Sequence, residues 1–227
     1  MTGRCTIPFD AAIFDLDGTL LDSMGVWERI DEDFLGRRGI PVPPDYAKAI
    51  ASLSFRGTAR YTIERFCLSE TEDALLDEWS RMAADEYALR VSLKPHAKAY
   101  LETLKGCGVK LATATSLSHR LSEPALRRCG IYDLFDVQCC TDELDDGRRE
   151  KRLPDVFLLA AKKLAVRPET CVVFEDILPA VIGAKSAGMR VYCIADAASS
   201  GHAQALTDAA DGYLSDFSEA PCPAYPS

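Results

Sequence analysis

This chain of 227 residues lacks three things: a basic surplus, a long apolar run and a paired-cysteine pattern. Lysine and arginine total 26 against 35 aspartates and glutamates, a formal charge of −9. Phosphate backbones and anionic membrane surfaces reward clustered basic side chains, so a general nucleic-acid or membrane-surface binder is excluded as an expectation. A small anionic ligand is not, because it needs only local positive charge. No apolar run approaches the roughly 20 residues that cross a bilayer, and the opening "MTGRCTIPFD" has no apolar core of a secretion signal. Nine cysteines are an odd number, Cys139 and Cys140 are adjacent, and no CxxC pair occurs, so neither a disulfide framework nor a zinc site is expected. The expectation is a cytoplasmic protein with cysteines used as small buried hydrophobes. Internal repeats and low-complexity segments are also missing.

What is present is 48% hydrophobic and 27% charged residues, enough to bury a sizeable core. From about residue 95 strand-like and helix-like segments alternate. The runs 108–116, 134–141, 170–176 and 189–196 read as buried strands, and 211–217 as an edge strand. Between them, Phe157, Ala160, Ala161 and Leu164 share one helix face, and Ala97, Leu101 and Leu104 share another, with Gly106 as the stop. Pro124 suggests that the helix after Ser118 starts or kinks near Ser122. Alternation of this kind implies a parallel sheet with helices on both faces, and "AAIFDLD" (11–17) is its first strand.

No second strand is legible for about 75 residues after that one. Met24, Trp27, Ile30 and Phe34 mark one amphipathic helix, Ala59, Ile63 and Phe66 a second, and Ser69 with Glu72 a capping box that opens a third through Leu76, Trp79, Met82 and Tyr87. The fold class is therefore α/β: a Rossmann-like parallel sheet core, residues 1–21 and 95–227, with an inserted all-helical cap, residues 22–94. "VSLKP" (91–95) reads as the return linker.

Open parallel sheets bind ligands at the carboxyl ends of their strands. Those ends carry Asp15 and Asp17, then Thr115 and Ser116, then Glu175 and Asp176, with Lys151 in the loop before a helix. Each has an ordinary reading. Asp-x-Asp can be an Asx-turn, Thr115 and Ser116 turn residues, Lys151 part of the solvated run "RREKR", and Glu175 with Asp176 a helix cap. Their joint placement on successive strand ends points to chemistry instead. Four carboxylates in one crevice repel unless a cation sits among them, and a set of hard oxygen ligands suits Mg²⁺.

The motifs "FDLDGTLLDS", "KLATATS", "KRLPDVF" and "FEDILPAVIGAKSAGM" resemble those of the haloacid dehalogenase superfamily, in particular its capped phosphatases and β-phosphoglucomutase-like members. Arg152 replaces a usual proline, and Ile177 stands where serine is common. The resemblance implies Asp15 as nucleophile, Asp17 as general acid and base, Thr115, Ser116 and Lys151 on the substrate phosphate, and Mg²⁺ on Asp15, Asp17, Glu175 and Asp176. The implied function is hydrolysis of a small phosphorylated metabolite through an aspartyl phosphate. A dehalogenase lacks the second aspartate. A mutase usually has a histidine near the place of Trp27 and an arginine aligned with Phe55, where this chain reads "SLSFRG" with Arg56 one residue off. An inactive regulatory protein on the same fold would lack Asp15, Lys151 or Asp176. Trp27, Phe55, Arg56 and Tyr61 are the candidates for substrate choice. The oligomeric state is left open by the sequence, with which a monomer is compatible.

Overall fold

The computed structural model describes residues 6–50, 53 and 55–223. Two compact units divide the chain: Met1–Met24 with Val91–Ser227, and Gly25–Arg90.

The second unit is helical: α1 (Val26–Gly36), α2 (Tyr46–Ile50), α3 (Phe55–Phe66) and α4 (Glu72–Leu89). Its core forms where apolar side chains recur one turn apart: Val26, Ile30 and Phe34 are buried on α1, and the Phe34 ring lies 5.4 Å from that of Trp79 on α4. The expected stripe of α1 therefore needs correction at its start. Met24 precedes the helix and Trp27 is 43% exposed, because the four-residue spacing from Val26 sets the buried face. The expected capping box is also displaced. The N-cap of α4 is Thr71, whose hydroxyl accepts from the Ala74 N–H at 3.3 Å, while Glu72 pairs with Arg56 and Arg60. Tyr46 and Thr62 share a buried hydrogen bond of 2.7 Å.

The first unit holds β1 (Thr6–Ile7), β2 (Ala11–Phe14), β3 (Leu21–Asp22), β4 (Ser92–Leu93), α5 (Ala97–Gly106), β5 (Lys110–Thr115), α6 (His119–Arg128), β6 (Val137–Cys140), α7 (Asp155–Leu164), β7 (Cys171–Glu175), α8 (Leu178–Ser186), β8 (Arg190–Ile194), α9 (Ala203–Ala209), β9 (Gly212–Leu214) and β10 (Cys222–Pro223). Six strands form one parallel sheet in the order β6-β5-β2-β7-β8-β9, the doubly wound α/β arrangement expected. Strand order reverses at β2, which puts its carboxyl end at the topological switch point. Both faces of the central strands are buried, because successive side chains point to opposite faces and β2 and β7 are buried without interruption. Ala11, Ile13, Cys171 and Val173 face α7 and α8 in one core, and Phe14 and Phe174 stack at 4.9 Å in an aromatic cluster with Tyr100 and Phe217 on the other side. Strands β3 and β4 pair antiparallel, and β1 pairs with β10.

Two local expectations differ. Gly106 is the last residue of α5, and the left-handed position that ends it is Gly108 (φ +77°), where glycine carries no Cβ penalty. Helix α6 runs from His119 straight through Pro124, which withdraws a single hydrogen bond, from the carbonyl of the exposed Arg120. No helix among the described residues is long and apolar enough to cross a membrane.

Candidate active site

Parallel pairing of β2 with β7 aligns Phe14 with Phe174, so the next residues, Asp15 and Glu175, leave adjacent strands side by side. The Asp15 N–H donates to the Phe174 carbonyl at 3.0 Å, which extends the ladder to the first acid. Beyond it the chain folds back at once, the Leu21 N–H reaching the Leu16 carbonyl at 2.7 Å and the Gly18 N–H the Leu21 carbonyl at 3.0 Å. Gly18 has φ +78°, and a Cβ there would overlap the Asp176 carboxylate, so only glycine lets this turn lie against that acid. The same turn supplies two hydroxyls. Thr19 donates to Asp176 Oδ1 at 3.1 Å, and Ser23 donates to Asp17 Oδ1 at 2.5 Å.

Lys151 completes the cluster from the loop before α7. It is 8% exposed, and its Nζ donates to Asp15 Oδ1 at 2.6 Å and forms an ion pair with Glu175 Oε1. The surface reading of "RREKR" holds for Arg152, which is exposed and pairs with Glu150, and fails for Lys151. The cause is Gly183 in the middle of α8. A Cβ at that position would overlap the Lys151 carbonyl and lie 2.8 Å from the Leu153 carbonyl, so the bare backbone of α8 admits the loop that delivers the lysine.

Asp15, Glu175 and Asp176 are all buried, and each offers a carboxylate oxygen within 4.8 Å of the others. Three carboxylates face one ammonium here, and the proton affinities of Glu175 and Asp176 are raised. Burial drives the Glu175 carboxyl well above the usual range, with Asp15 and Asp176 adding to it against the pull of Lys151. Burial and then Asp15 push Asp176 up to about 7. Burial alone would lower the Lys151 pKa, but Asp15 and Glu175 outweigh it and the ammonium is held. A site of oxygen donors, short of positive charge and cleared of a Cβ at Gly18, fits a small hard divalent cation such as Mg²⁺.

Thr115 is buried at the end of β5, next to β2, and its Oγ1 accepts from the Leu117 N–H at 3.1 Å; Ser116 is exposed on the following turn. The hydrogen bonds that join Lys151 to the carboxylates do not include either hydroxyl. Ile177 is 42% exposed at the N-cap of α8 and makes no side-chain cap bond. In the helical unit Arg56 pairs with Glu72 and Asp73, Tyr61 accepts from Arg65 at 2.6 Å, and the Trp27 and Phe55 rings lie 5.5 Å apart. Ser52 and Ser54 of "SLSFRG" lie outside the described residues. Sequence reading missed Thr19, Ser23 and Gly183. Only Gly183 left a signal, as a glycine inside an otherwise helical run.

The sequence matches the haloacid dehalogenase-like hydrolases over residues 9–188, a span that carries every acid of the cluster and Lys151. The chain belongs to this family. It is 31% identical over 202 residues to a phosphorylated-carbohydrates phosphatase of Thermotoga maritima, covering 86% of this chain and 89% of the other. Over 181 residues it is 27% identical to a fructose-1-phosphate phosphatase of Escherichia coli, covering 78% and 92%. Among solved structures it is similar to a Thermotoga maritima protein assigned as a β-phosphoglucomutase, with a TM-score of 0.81, 28% identity and coverage of 90% and 94%. Membership accounts for the pairing of a Rossmann-like sheet with acids on its central strand ends.

Proposed function

We propose that this hydrolase is a Mg²⁺-dependent phosphatase of small phosphorylated metabolites, carbohydrate phosphates first among them, working through a phosphorylated Asp15. The observation that carries the reading is the buried Asp15 carboxylate, held by Lys151 at 2.6 Å and set in register with Glu175 at the switch point of the sheet. The phosphatase names of the relatives of Thermotoga maritima and Escherichia coli support the substrate class.

In this reading Lys151 fixes one oxygen of Asp15 and leaves the other to attack phosphorus in line. The new bond is Asp15 Oδ to phosphorus, and the bond that breaks joins phosphorus to the ester oxygen. Asp17, oriented by Ser23, gives its proton to that leaving oxygen. Asp17 then takes a proton from water as the water attacks the aspartyl phosphate, which returns free Asp15 and inorganic phosphate. Thr115 and Ser116 donate to phosphoryl oxygens, and Lys151 offsets the crowded negative charge. Asp15, the Asp17 backbone carbonyl, Glu175 and Asp176 would hold Mg²⁺, which when bound lowers the repulsion between a carboxylate nucleophile and a phosphate. Thr19 and Gly18 keep Asp176 in place for that task. The helical unit Gly25–Arg90 is the cap in this reading, and the setting is cytoplasmic.

A phosphomutase is the second reading, favoured by the likeness to the protein assigned as a β-phosphoglucomutase. Trp27 in the place of a histidine, and Arg56 engaged with Glu72 and Asp73, favour hydrolysis.

The two aspartates test the proposal. Asp15→Asn removes the nucleophile, so turnover of every phosphate ester falls to background. Asp17→Asn lowers turnover by about 10²–10⁴-fold, yet esters with acidic leaving groups still phosphorylate Asp15, and the adduct accumulates because no base activates water. Mass spectrometry of acid-quenched protein should show an added phosphoryl group on Asp17→Asn and none on Asp15→Asn. Identical behaviour of the two variants, or a phosphoryl group elsewhere than Asp15, overturns the assignment.

A further inference from the structure

Away from the carboxylate cluster, three residues of different ligand chemistry converge at the open edge of the sheet. His119 opens α6, Cys140 ends the edge strand β6, and Glu143 lies in the turn Thr141–Glu143 that follows. Each offers one ligand atom, all within 4.8 Å of one another. We propose that His119, Cys140 and Glu143 form a second metal site, selective for a borderline divalent cation of the Zn²⁺ class.

Two of the three ligands are preorganised. Cys140 and Glu143 hold each other reciprocally, the Glu143 N–H facing Cys140 Sγ and the Glu143 Oε1 accepting from the Cys140 N–H at 3.1 Å. The third lies at a telling distance. His119 Nε2 is 3.4 Å from the same Oε1, long for a hydrogen bond. Two ligands of one tetrahedral zinc, each about 2.0–2.2 Å from the ion, sit about 3.3–3.5 Å apart. The donor set, one imidazole, one thiolate and one carboxylate, suits zinc and discriminates against Mg²⁺, which prefers an all-oxygen shell. Three protein ligands leave a fourth position for water.

The surroundings suit an ion that comes and goes. His119 and Glu143 are exposed and Cys140 alone is buried, so the cluster opens to solvent on the side of the imidazole and the carboxylate. Lys163 pairs with the second oxygen of Glu143, Oε2, which turns Oε1 toward His119, the orienting task that outer partners perform at metal sites. Binding replaces the Cys140 S–H bond with an S–metal bond and releases one proton to solvent. The ion would tie the start of α6, which follows the turn carrying Ser116, to the end of β6.

Cobalt(II) titrated into the protein under reducing, oxygen-free conditions with saturating Mg²⁺ tests this directly. One equivalent per chain should bind with a near-ultraviolet thiolate-to-cobalt charge-transfer band, which the all-oxygen carboxylate cluster cannot produce, and added Zn²⁺ should abolish it. Cys140→Ser should lose the band. His119→Ala, at an exposed position where folding is not at risk, should weaken binding at least tenfold while Mg²⁺-dependent turnover stays unchanged. Absence of the band in the unaltered protein, its persistence in Cys140→Ser, or unchanged cobalt affinity in His119→Ala overturns the site. These outcomes stand whether or not the protein is a phosphatase.

Discussion

Gly183 lies in a helix far along the chain from Lys151, and the missing side chain is what brings the two segments together. Helix interiors disfavour glycine by about 1 kcal/mol relative to alanine, so Gly183→Ala would strengthen an isolated helix. In this fold the added methyl overlaps the Lys151 carbonyl. The expected outcome is a loss of about 1–3 kcal/mol in stability from overpacking, and a larger loss in activity than in stability because the Lys151 ammonium leaves Asp15. Denaturant unfolding and kcat on one ester, measured together, check it. A stabilised and fully active variant would refute the positioning role. Residues of this kind explain what the sequence does not disclose. Asp15, Glu175 and Asp176 are legible because apolar runs end at them, so their place on the sheet follows from period and direction alone. Thr19, Ser23 and the burial of Lys151 depend on segments more than a hundred residues apart, or on the exact path of a tight turn, and short polar side chains look alike in any turn. The thiol of Cys140 belongs to the same class. It reads as one more small hydrophobe until β6 and the start of α6 lie side by side.

At the scale of elements, the six strands of the parallel sheet were legible, while the two-residue strands β1, β3, β4 and β10 and the helix ends were not. Continuous runs such as "CVVFE" are buried on both faces, so no alternative register competes for them. Helix ends depend on one hydrogen bond or one backbone angle, and neighbours compete for it. Thr71 displaced Ser69 as the cap of α4, and Gly108 displaced Gly106 beyond α5. Helix α1 carries a cost of its own. Asp31 is half-buried near Tyr46, and burial, with Glu28 adding repulsion, lifts its carboxyl from 3.8 to about 6. A carboxyl whose pKa is raised in the folded state favours folding while it stays protonated. That contribution is whole below pH about 4 and lost as the pH rises through about 6. Asp31→Asn should therefore gain on the order of 1–2 kcal/mol over the unaltered protein at pH 8 and almost nothing at pH 4. Thermal melts of both proteins at the two pH values decide it, and an equal difference at each would show that the charge of Asp31 is not the cause.

For the whole molecule, the core of the first unit is apolar and complete without an ion, since the sheet is packed by aliphatic side chains on one face and aromatic ones on the other. The carboxylate cluster is the exception, with three buried acids against one lysine. Chelation should thus stop phosphate release while leaving the far-ultraviolet circular dichroism unchanged, and Mg²⁺ at 100 times its Kd should stabilise the fold by about 2.7 kcal/mol, a rise of several degrees in Tm. Full activity after exhaustive chelation, or a Tm indifferent to Mg²⁺, would remove the metal from the proposal.

The paired strands β3 and β4 carry a last consequence for the helical unit. Because Leu21–Asp22 and Ser92–Leu93 run antiparallel, the chain leaves the first unit and re-enters it through neighbouring doors, one strand spacing of about 5 Å apart. Every strand of the six-stranded sheet is encoded outside residues 25–90, and none changes its partner if that stretch grows, shrinks or is exchanged. The helical unit can therefore be lengthened, shortened or exchanged while the strand ends that carry the acids keep their place.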